Sequence, residues 1–241
     1  MATKTLVIGH RGASARAPEN TLSAFALALD VGADGVECDL RATADGVPVV
    51  NHDARVDRTT DGSGEIARMT LAEVRSLDAS GGDTDYRGER IPTLAELLAL
   101  VAGRGLLVIE YKSLDAVAPS APVVRAAGAV PWCTAWSFRL EILAALRDTL
   151  PEVRRTLLVG TSDDLEGQRE VARSLGCVGL SLRHDLVDGR RVEAARDLGL
   201  RVYAWTADDP ADWQRLIVDA VDGIVTNDPQ GLRRMLPRDG R

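Results

Sequence analysis

The sequence predicts an α/β protein of the (β/α)8 barrel class, with a small hairpin-and-loop insertion after the second strand. Three observations lead there. Eight short, β-branched and almost wholly apolar runs alternate with segments of helical periodicity. A chain of 241 residues has the size at which an α/β barrel forms one undivided domain, here 1–241. Reactive polar residues stand directly behind several of the apolar runs, and barrels of this class do their chemistry at the carboxyl ends of their strands. No G-x-G-x-x-G follows the first run, so an open doubly wound sheet lacks its usual mark.

The strands are read from TLVIGH, DGVECDL, LLVIEYK, PWCTAW, RRTLLVG, CVGLSL, LRVYAW and DGIVTN. Runs apolar nearly throughout suit parallel strands covered on both faces. Between the first two, Leu22, Phe25, Ala26 and Leu29 follow the i, i+3, i+4, i+7 stripe of a helix, with Asn20 read as its N-cap and Gly32 as its stop. The stripe recurs as Trp213, Leu216, Ile217 and Ala220, where Asp209 caps and Pro210 takes the first helical position. Further helices are expected over 94–101, 117–127, 138–150, 164–175, 192–198 and 230–236. The segment 40–92 breaks the alternation. Asp45-Gly46 between two β-like runs is a hairpin signal, so a ribbon should leave the barrel, turn there and return to deliver His52. The Gly- and Asp-rich remainder reads as a loop-rich lid.

Composition excludes several function classes. Hydrophobic content of 45% and charged content of 27% belong to an ordinary globular chain with a sizeable core. A net charge of −7 argues against a nucleic-acid surface. No basic region followed by an apolar one opens the chain, and no apolar run approaches membrane-spanning length, so a cytoplasmic protein with no leader and no membrane anchor is expected. Cys38, Cys133 and Cys177 are odd in number and lack metal spacing, which favours buried free thiols over disulfides or a zinc site. Nothing in the sequence specifies an oligomeric state.

The strand ends hold the candidate chemistry. The first ends in His10-Arg11, the second in Glu37 and Asp39, the third in Glu110 and Lys112, the seventh in Trp205-Thr206 and the eighth in Thr226-Asn227-Asp228. The returning ribbon adds His52-Asp53. Period-two geometry points Glu37 and Asp39 to one side, and likewise Glu110 and Lys112. Clustered carboxylates raise one another's pKa unless a cation neutralises them. Three oxygen donors without a thiolate suit a hard divalent ion, Mg²⁺ or Ca²⁺. Two imidazoles with Arg11 and Lys112 complete a set suited to phosphoryl chemistry, the cations holding phosphate while the rings exchange protons.

Each residue also has a structural explanation. A lone histidine at a strand end is more often structural than catalytic. Glu37 and Asp39 would serve as strand-end ion pairs with Arg11 and Lys112, Asp53 would orient His52 or cap a turn, and Trp205 would be core or an apolar wall. His184 follows a strand without a partner motif and reads as a loop residue. It is the coincidence of all the other groups on one barrel face that points to a site.

These residues together resemble the glycerophosphodiester phosphodiesterase family. The matching features are His10-Arg11-Gly12, Pro18-Glu19-Asn20-Thr21, Gly32-Ala33-Asp34, Glu37-x-Asp39, Thr43-x-Asp45-Gly46, Val49-Val50-x-His52-Asp53 and Arg58-x-Thr60. Farther along come Ile91-Pro92-Thr93-Leu94, Glu110-x-Lys112, Trp205-Thr206 and Asp222-Gly223-Ile224-x-Thr226. The resemblance implies a TIM-barrel fold and metal-dependent hydrolysis of small-molecule glycerophosphodiesters to sn-glycerol 3-phosphate and an alcohol, through a cyclic phosphate. It implies Glu37, Asp39 and Glu110 as metal ligands, His10 and His52 as the general acid/base pair, Arg11 as a phosphate clamp, and Lys112 as a second cation beside the phosphate. Trp205 is expected on the substrate side.

The chain departs from the family's Trp-Thr-Val-Asn at Trp205-Thr206-Ala207-Asp208, from Glu-Ile-Lys at Glu110-Tyr111-Lys112, and from a common glycine at Ala220. If Asp208 faces the mouth, its charge favours cationic or neutral head groups over inositol phosphates. Three other activities are conceivable for such a chain: lysophospholipase D-like cleavage of lipid-bearing diesters, a silent binding barrel, and a metal-dependent lyase or aldolase. A silent barrel would lack a histidine or one of the three carboxylates, whereas His10, His52, Glu37, Asp39 and Glu110 are all present, and a lyase has no need of paired histidines.

Overall fold

The architecture follows from where the strands find their hydrogen-bond partners. The computed structural model describes residues 4–161 and 164–236. Its strands are β1 (Leu6–His10), β2 (Gly35–Ala42), β3 (Pro48–Val50), β4 (Leu106–Tyr111), β5 (Cys133–Ser137), β6 (Arg154–Val159), β7 (Gly179–Arg183), β8 (Arg201–Trp205) and β9 (Gly223–Thr226). All but β3 pair in parallel in the order β1-β9-β8-β7-β6-β5-β4-β2, and pairing of β1 with β2 closes the ring. This is the expected eight-stranded TIM barrel, and β3 is an antiparallel strand outside it.

Helices α1 (Leu22–Asp30), α3 (Leu94–Val101), α4 (Val117–Ala126), α5 (Leu140–Thr149), α6 (Leu165–Ser174), α7 (Gly189–Arg196), α8 (Pro210–Val218) and α9 (Pro229–Met235) cover the ring, and α2 (Leu71–Ser76) lies in the insertion. Asp209 caps α8 and Pro210 opens it, as the sequence reading has it. Gly32 follows α1 in the left-handed region at φ +92, where a Cβ would be strained. The N-cap of α1 is Thr21, not Asn20, because Thr21 Oγ1 accepts the Ala24 N–H at 3.2 Å while Asn20 lies at φ +61 with its amide turned elsewhere. Helix α7 begins before the expected Val192, since Asp188 accepts the Arg191 N–H and starts the helix at Gly189. Ala220, one of the departures noted from the sequence, adopts φ +59, a left-handed conformation that glycine enters without a Cβ clash.

Alternation along each strand makes two cores. Outward residues such as Val36, Cys38, Leu40, Leu107 and Ile109 pack beneath the helices. Inward residues Ile8, Val108, Trp136, Leu158, Tyr203 and Val225 fill the lumen, with the Trp136 and Tyr203 rings 4.9 Å apart. Gly223 makes room for this plug, because a Cβ there would lie 2.9 Å from the Tyr203 ring. Cys38, Cys133 and Cys177 are free and buried. Among the described residues no helix is long and apolar enough to cross a membrane. The expected lack of a leader concerns a stretch that includes residues 1–3, outside the described residues.

The insertion forms the expected hairpin. Leu40 pairs with Val50 and Ala42 with Pro48, and Gly46 turns the chain at φ +77. Beyond it the chain is less loop-like than expected. Thr70 and Glu73 form a reciprocal capping box that starts α2, a signal present in the sequence as Thr-x-x-Glu. Val49, Val56, Ile66, Val74, Ala79 and Ile91 bury a small core of their own. Ile66→Ala should cost about 2–5 kcal/mol, the usual range for such a deletion. Hydrogen exchange should then show the Val56 and Ile66 amides losing protection while the β4–β6 amides keep theirs.

Candidate active site

The lumen plug ends one layer below the carboxyl rim, and there the inward positions become acidic. The β1–β2 register sets His10 beside Glu37, and the β2–β4 register sets Asp39 beside Glu110. One oxygen from each of Glu37, Asp39 and Glu110 lies within 4.8 Å of the others, and all three residues are buried. Their contacts differ. Asp39 lies 3.1 Å from both Arg11 Nε and Lys112 Nζ, and Lys112 Nζ is 2.5 Å from Glu110. Glu37 accepts the Arg11 backbone N–H at 3.1 Å, but its Oε1 is buried with no hydrogen-bond partner. Ion pairing thus reaches Asp39 and Glu110, although Asp39 Oδ1 makes no hydrogen bond beyond its ion pair, and Glu37 Oε1 has no partner at all.

The electrostatics follow. Burial drives the Glu37 carboxyl well above its ordinary range, and the charges of Asp39 and Glu110 add to the effect. Burial pushes Glu110 to about 7, opposed by the Lys112 ammonium and reinforced by Asp39. For Asp39 burial acts upward, yet Lys112, Arg11, His52 and the Asn20 amide together hold its pKa below the usual value. An unpartnered oxygen among three buried carboxylates fits a hard divalent cation with oxygen ligands, and it fits no soft metal, because no thiolate is in the set.

The two histidines approach this centre from different segments. His10 Nε2 lies 4.0 Å from Glu37 Oε2, and its Nδ1 is 2.8 Å from Asn227 Oδ1. Burial pushes His10 down to about 4, with Arg11 acting in the same direction. His52 is held by the hairpin, where Arg41 Nε and Nη2 donate to its carbonyl at 2.9 and 2.7 Å. Its Nδ1 meets Asp53 Oδ1 at 2.7 Å. Burial lowers the His52 pKa, against the pull of the nearby Asp39 charge. Of the two uses open to Asp53, orienting His52 is the one seen.

Around them lies a chain of charges that sequence reasoning missed. Arg58 from the insertion donates to Asp53 at 2.6 Å and to Glu19 at 2.7 and 2.8 Å, and Glu19 accepts from Arg11 at 2.9 Å. Asn20 donates to Asp39 at 2.8 Å and accepts the Asp39 N–H at 3.3 Å, so the residue expected as a helix cap instead buckles the acidic centre. The signal was present, since asparagine tolerates the left-handed conformation that such a turn needs. Gly12 closes the His10-Arg11-Gly12 turn at φ +89, where a Cβ would fall 2.5 Å from the backbone of Ala24.

Trp205 is half-buried at the end of β8, donating its ring N–H to the Ser181 carbonyl at 3.0 Å and meeting Phe138 edge-on at 5.2 Å. Phe138 is 42% exposed, and with Leu114 and Leu140 it gives the rim an apolar side. Asp208 lines an open cleft of about 470 Å³ together with His10, Arg11, Ser14, Glu19 and Asn227. His184 sits in a single turn of 3-10 helix, and its Nδ1 is 3.2 Å from Asp212. The partner that the sequence did not show comes from α8, and the pair is distinct from the acidic centre.

Residues 10–231 match the model of the glycerophosphoryl diester phosphodiesterase family. A glycerophosphodiester phosphodiesterase of Caldanaerobacter subterraneus subsp. tengcongensis is 35% identical over 98% of this chain and 100% of its own length. Among solved structures, an Oleispira antarctica phosphodiesterase in complex with the product sn-glycerol-3-phosphate superposes with a TM-score of 0.89 at 31% identity, covering 96% of each chain. A glycerophosphodiester phosphodiesterase from Agrobacterium tumefaciens superposes at 0.87 with 33% identity, over 96% of this chain and 100% of the other. The likeness spans the histidine turn, the acidic strand ends and the last helix alike, and the chain belongs to the glycerophosphoryl diester phosphodiesterase family.

Proposed function

We propose that this phosphodiesterase, one undivided domain, hydrolyses glycerophosphodiesters to sn-glycerol 3-phosphate and an alcohol, with Glu37, Asp39 and Glu110 holding Mg²⁺ or Ca²⁺ and His10 and His52 exchanging the protons. The observation that carries this reading is a buried trio of carboxylates with His10 4.0 Å from Glu37 and His52 close enough to feel the Asp39 charge, Glu37 Oε1 having no hydrogen-bond partner. A divalent ion there would neutralise charge on the phosphate and acidify a bound hydroxyl. Arg11 and Lys112 supply the remaining positive charge for the phosphate oxygens. The apolar rim at Trp205 and Phe138 offers the glycerol carbons a dry surface. A cytoplasmic location is supported by the three free thiols.

The order of proton transfer follows from what each ring faces. His52 bonds a carboxylate, which supports an imidazolium, whereas His10 bonds an amide oxygen and is pushed down to about 4, chiefly by burial. His10 therefore accepts the proton of the glycerol 2-hydroxyl as that oxygen bonds to phosphorus. His52 protonates the departing head-group oxygen as its bond to phosphorus breaks. The tethered hydroxyl supplies the proximity that free water lacks. Water then opens the cyclic phosphate, with His52 taking a proton and His10 returning one to the glycerol oxygen.

A second substrate class is favoured by one observation. Leu114, Phe138 and Leu140 are exposed at 47%, 42% and 41% on the strand-end side, and such a face suits the acyl chain of a lysophospholipid. The two classes share the same chemistry.

His10→Ala and His52→Ala should each lower kcat by about 10²-fold or more with the fold intact, the usual scale for losing an acid/base group. Chelation should abolish turnover, and Mg²⁺ or Ca²⁺ should restore it; substantial activity in metal-free enzyme would remove the three carboxylates from the role of ligands. A rate panel of glycerophosphocholine, glycerophosphoethanolamine, glycerophosphoinositol and lysophosphatidylcholine should favour cationic or neutral head groups. Asp208→Asn tests whether that charge sets head-group choice: a narrowed ratio of choline to inositol rates would assign Asp208 a head-group role, and an unchanged ratio would exclude it. Choline release from the lysolipid at a comparable rate would establish the acyl-bearing class.

Metal binding should also carry a pH signature. Glu110 titrates at about 7 in the folded, metal-free chain against 4.5 for a free glutamate, so its contribution to stability is full below 4.5 and is lost as pH rises through 7. A cation replaces that proton. The thermal stabilisation by Mg²⁺ should therefore be larger at about pH 8 than at about pH 5. The difference should shrink in Glu110→Gln, which scanning calorimetry with and without chelator would measure.

A further inference from the structure

We infer that Asp208 is a positioning residue for His10, acting through the amide of Asn227 to decide which ring nitrogen of His10 carries the proton. The inference rests on the proposed function only in giving His10 a base role; the hydrogen-bond chain stands apart from it. Asp208 lies just beyond β8 and Asn227 just beyond β9, on adjacent barrel strands. Asp208 Oδ1 accepts from Thr226 Oγ1 at 3.0 Å and from the Asn227 backbone N–H at 2.8 Å. Its Oδ2 accepts from Asn227 Nδ2 at 2.6 Å.

A carboxylate offers acceptors only, so the Asn227 amide must turn its NH2 toward Asp208. The amide oxygen then faces the other way, where Ser14 Oγ donates at 2.7 Å and His10 Nδ1 lies at 2.8 Å. An amide oxygen also accepts only. His10 Nδ1 therefore carries the hydrogen, and in the neutral ring Nε2 keeps its lone pair, on the side of Glu37. The direction of every bond in the chain is set by the one group that cannot donate.

An asparagine at 208 removes that constraint. It can keep its oxygen on Thr226 and the Asn227 N–H and present NH2 to the Asn227 side chain. Asn227 then turns over and offers its own NH2 to His10, so Nδ1 accepts and the proton sits on Nε2. Ser14 can follow, since its hydroxyl already lies 2.8 Å from the His10 carbonyl and can donate there while accepting from the amide. Every polar group remains satisfied, so the variant is expected to fold, and only the tautomer reverses.

The chain has three histidines, which makes ring-nitrogen NMR of ¹⁵N-histidine protein tractable, with His10→Ala giving the assignment. In Mg²⁺-supplied wild type at neutral pH, His10 Nδ1 should show the protonated signature and Nε2 the lone-pair one. Asp208→Asn should reverse the two and lower kcat about 10²-fold on every diester tested, with KM little changed. A head-group effect would instead alter the ratio between substrates. The exchanged pair Asp208→Asn with Asn227→Asp again sets an acceptor-only carboxylate against His10, and should restore the Nδ1–H tautomer and most of kcat. Circular dichroism on each variant checks the fold. An unchanged tautomer in Asp208→Asn, or a reversed one that the exchanged pair fails to restore, overturns the inference. A reversed tautomer with undiminished kcat supports the hydrogen-bond chain and instead removes His10 from the base role.

Discussion

Three carboxylates side by side at the end of an apolar plug repel one another, and neither water nor distance relieves them. Below them the lumen is closed by Trp136, Tyr203 and Ile8, so solvent cannot screen the charges from that side. Within the trio, the cationic groups of Arg11 and Lys112 meet Asp39 and Glu110, and Arg11 is shared with Glu19 outside it. Glu37 is left with an oxygen that nothing in the protein meets. A divalent cation would turn the cluster's net charge from one negative to one positive, which a phosphodiester anion then neutralises. In the proposed reading, the charges of these five side chains balance when metal and substrate are both bound.

Much of the surrounding structure serves that balance. The turn at Gly12 and the left-handed Arg11 and Asn20 bring a guanidinium and an amide onto Asp39. The insertion, stiffened by its own small core, reaches back through Arg58 to hold Glu19 and Asp53, and so the second histidine. The histidines are therefore mounted on unlike supports. One leans on a neutral amide within the barrel, the other on a carboxylate clamped by the insertion, and the proposed order of proton transfer rests on this asymmetry.

The barrel was legible because its information is local. Parallel strands buried on both faces read as short apolar runs, and helices show their period and their caps, as at Asp209-Pro210. The acidic trio was legible for the same reason, since period two puts Glu37 with Asp39, and the register of β2 against β4 then adds Glu110. Where reading failed, a residue's local preference was overridden by a distant partner. Asn20 has the chemistry of a helix cap, but Asp39 claims its amide and Thr21 caps in its place. His184 showed no partner motif in sequence, and its partner Asp212 comes from the next helix but one in the chain.

By itself the sequence determined the class of fold, the insertion and its hairpin, and the set of residue types at the strand ends, because periodicity and turn chemistry act over a few residues. Only the tertiary structure decided which of those groups touch. His10 and Asn227 stand 217 positions apart, and they meet because β1 and β9 are neighbours in a closed ring. The orientation of the His10 ring and the link from Arg58 to Glu19 depend on such long-range closures. No local pattern encodes them, since a hydrogen bond is read from where two groups lie and not from how far apart they are in the chain.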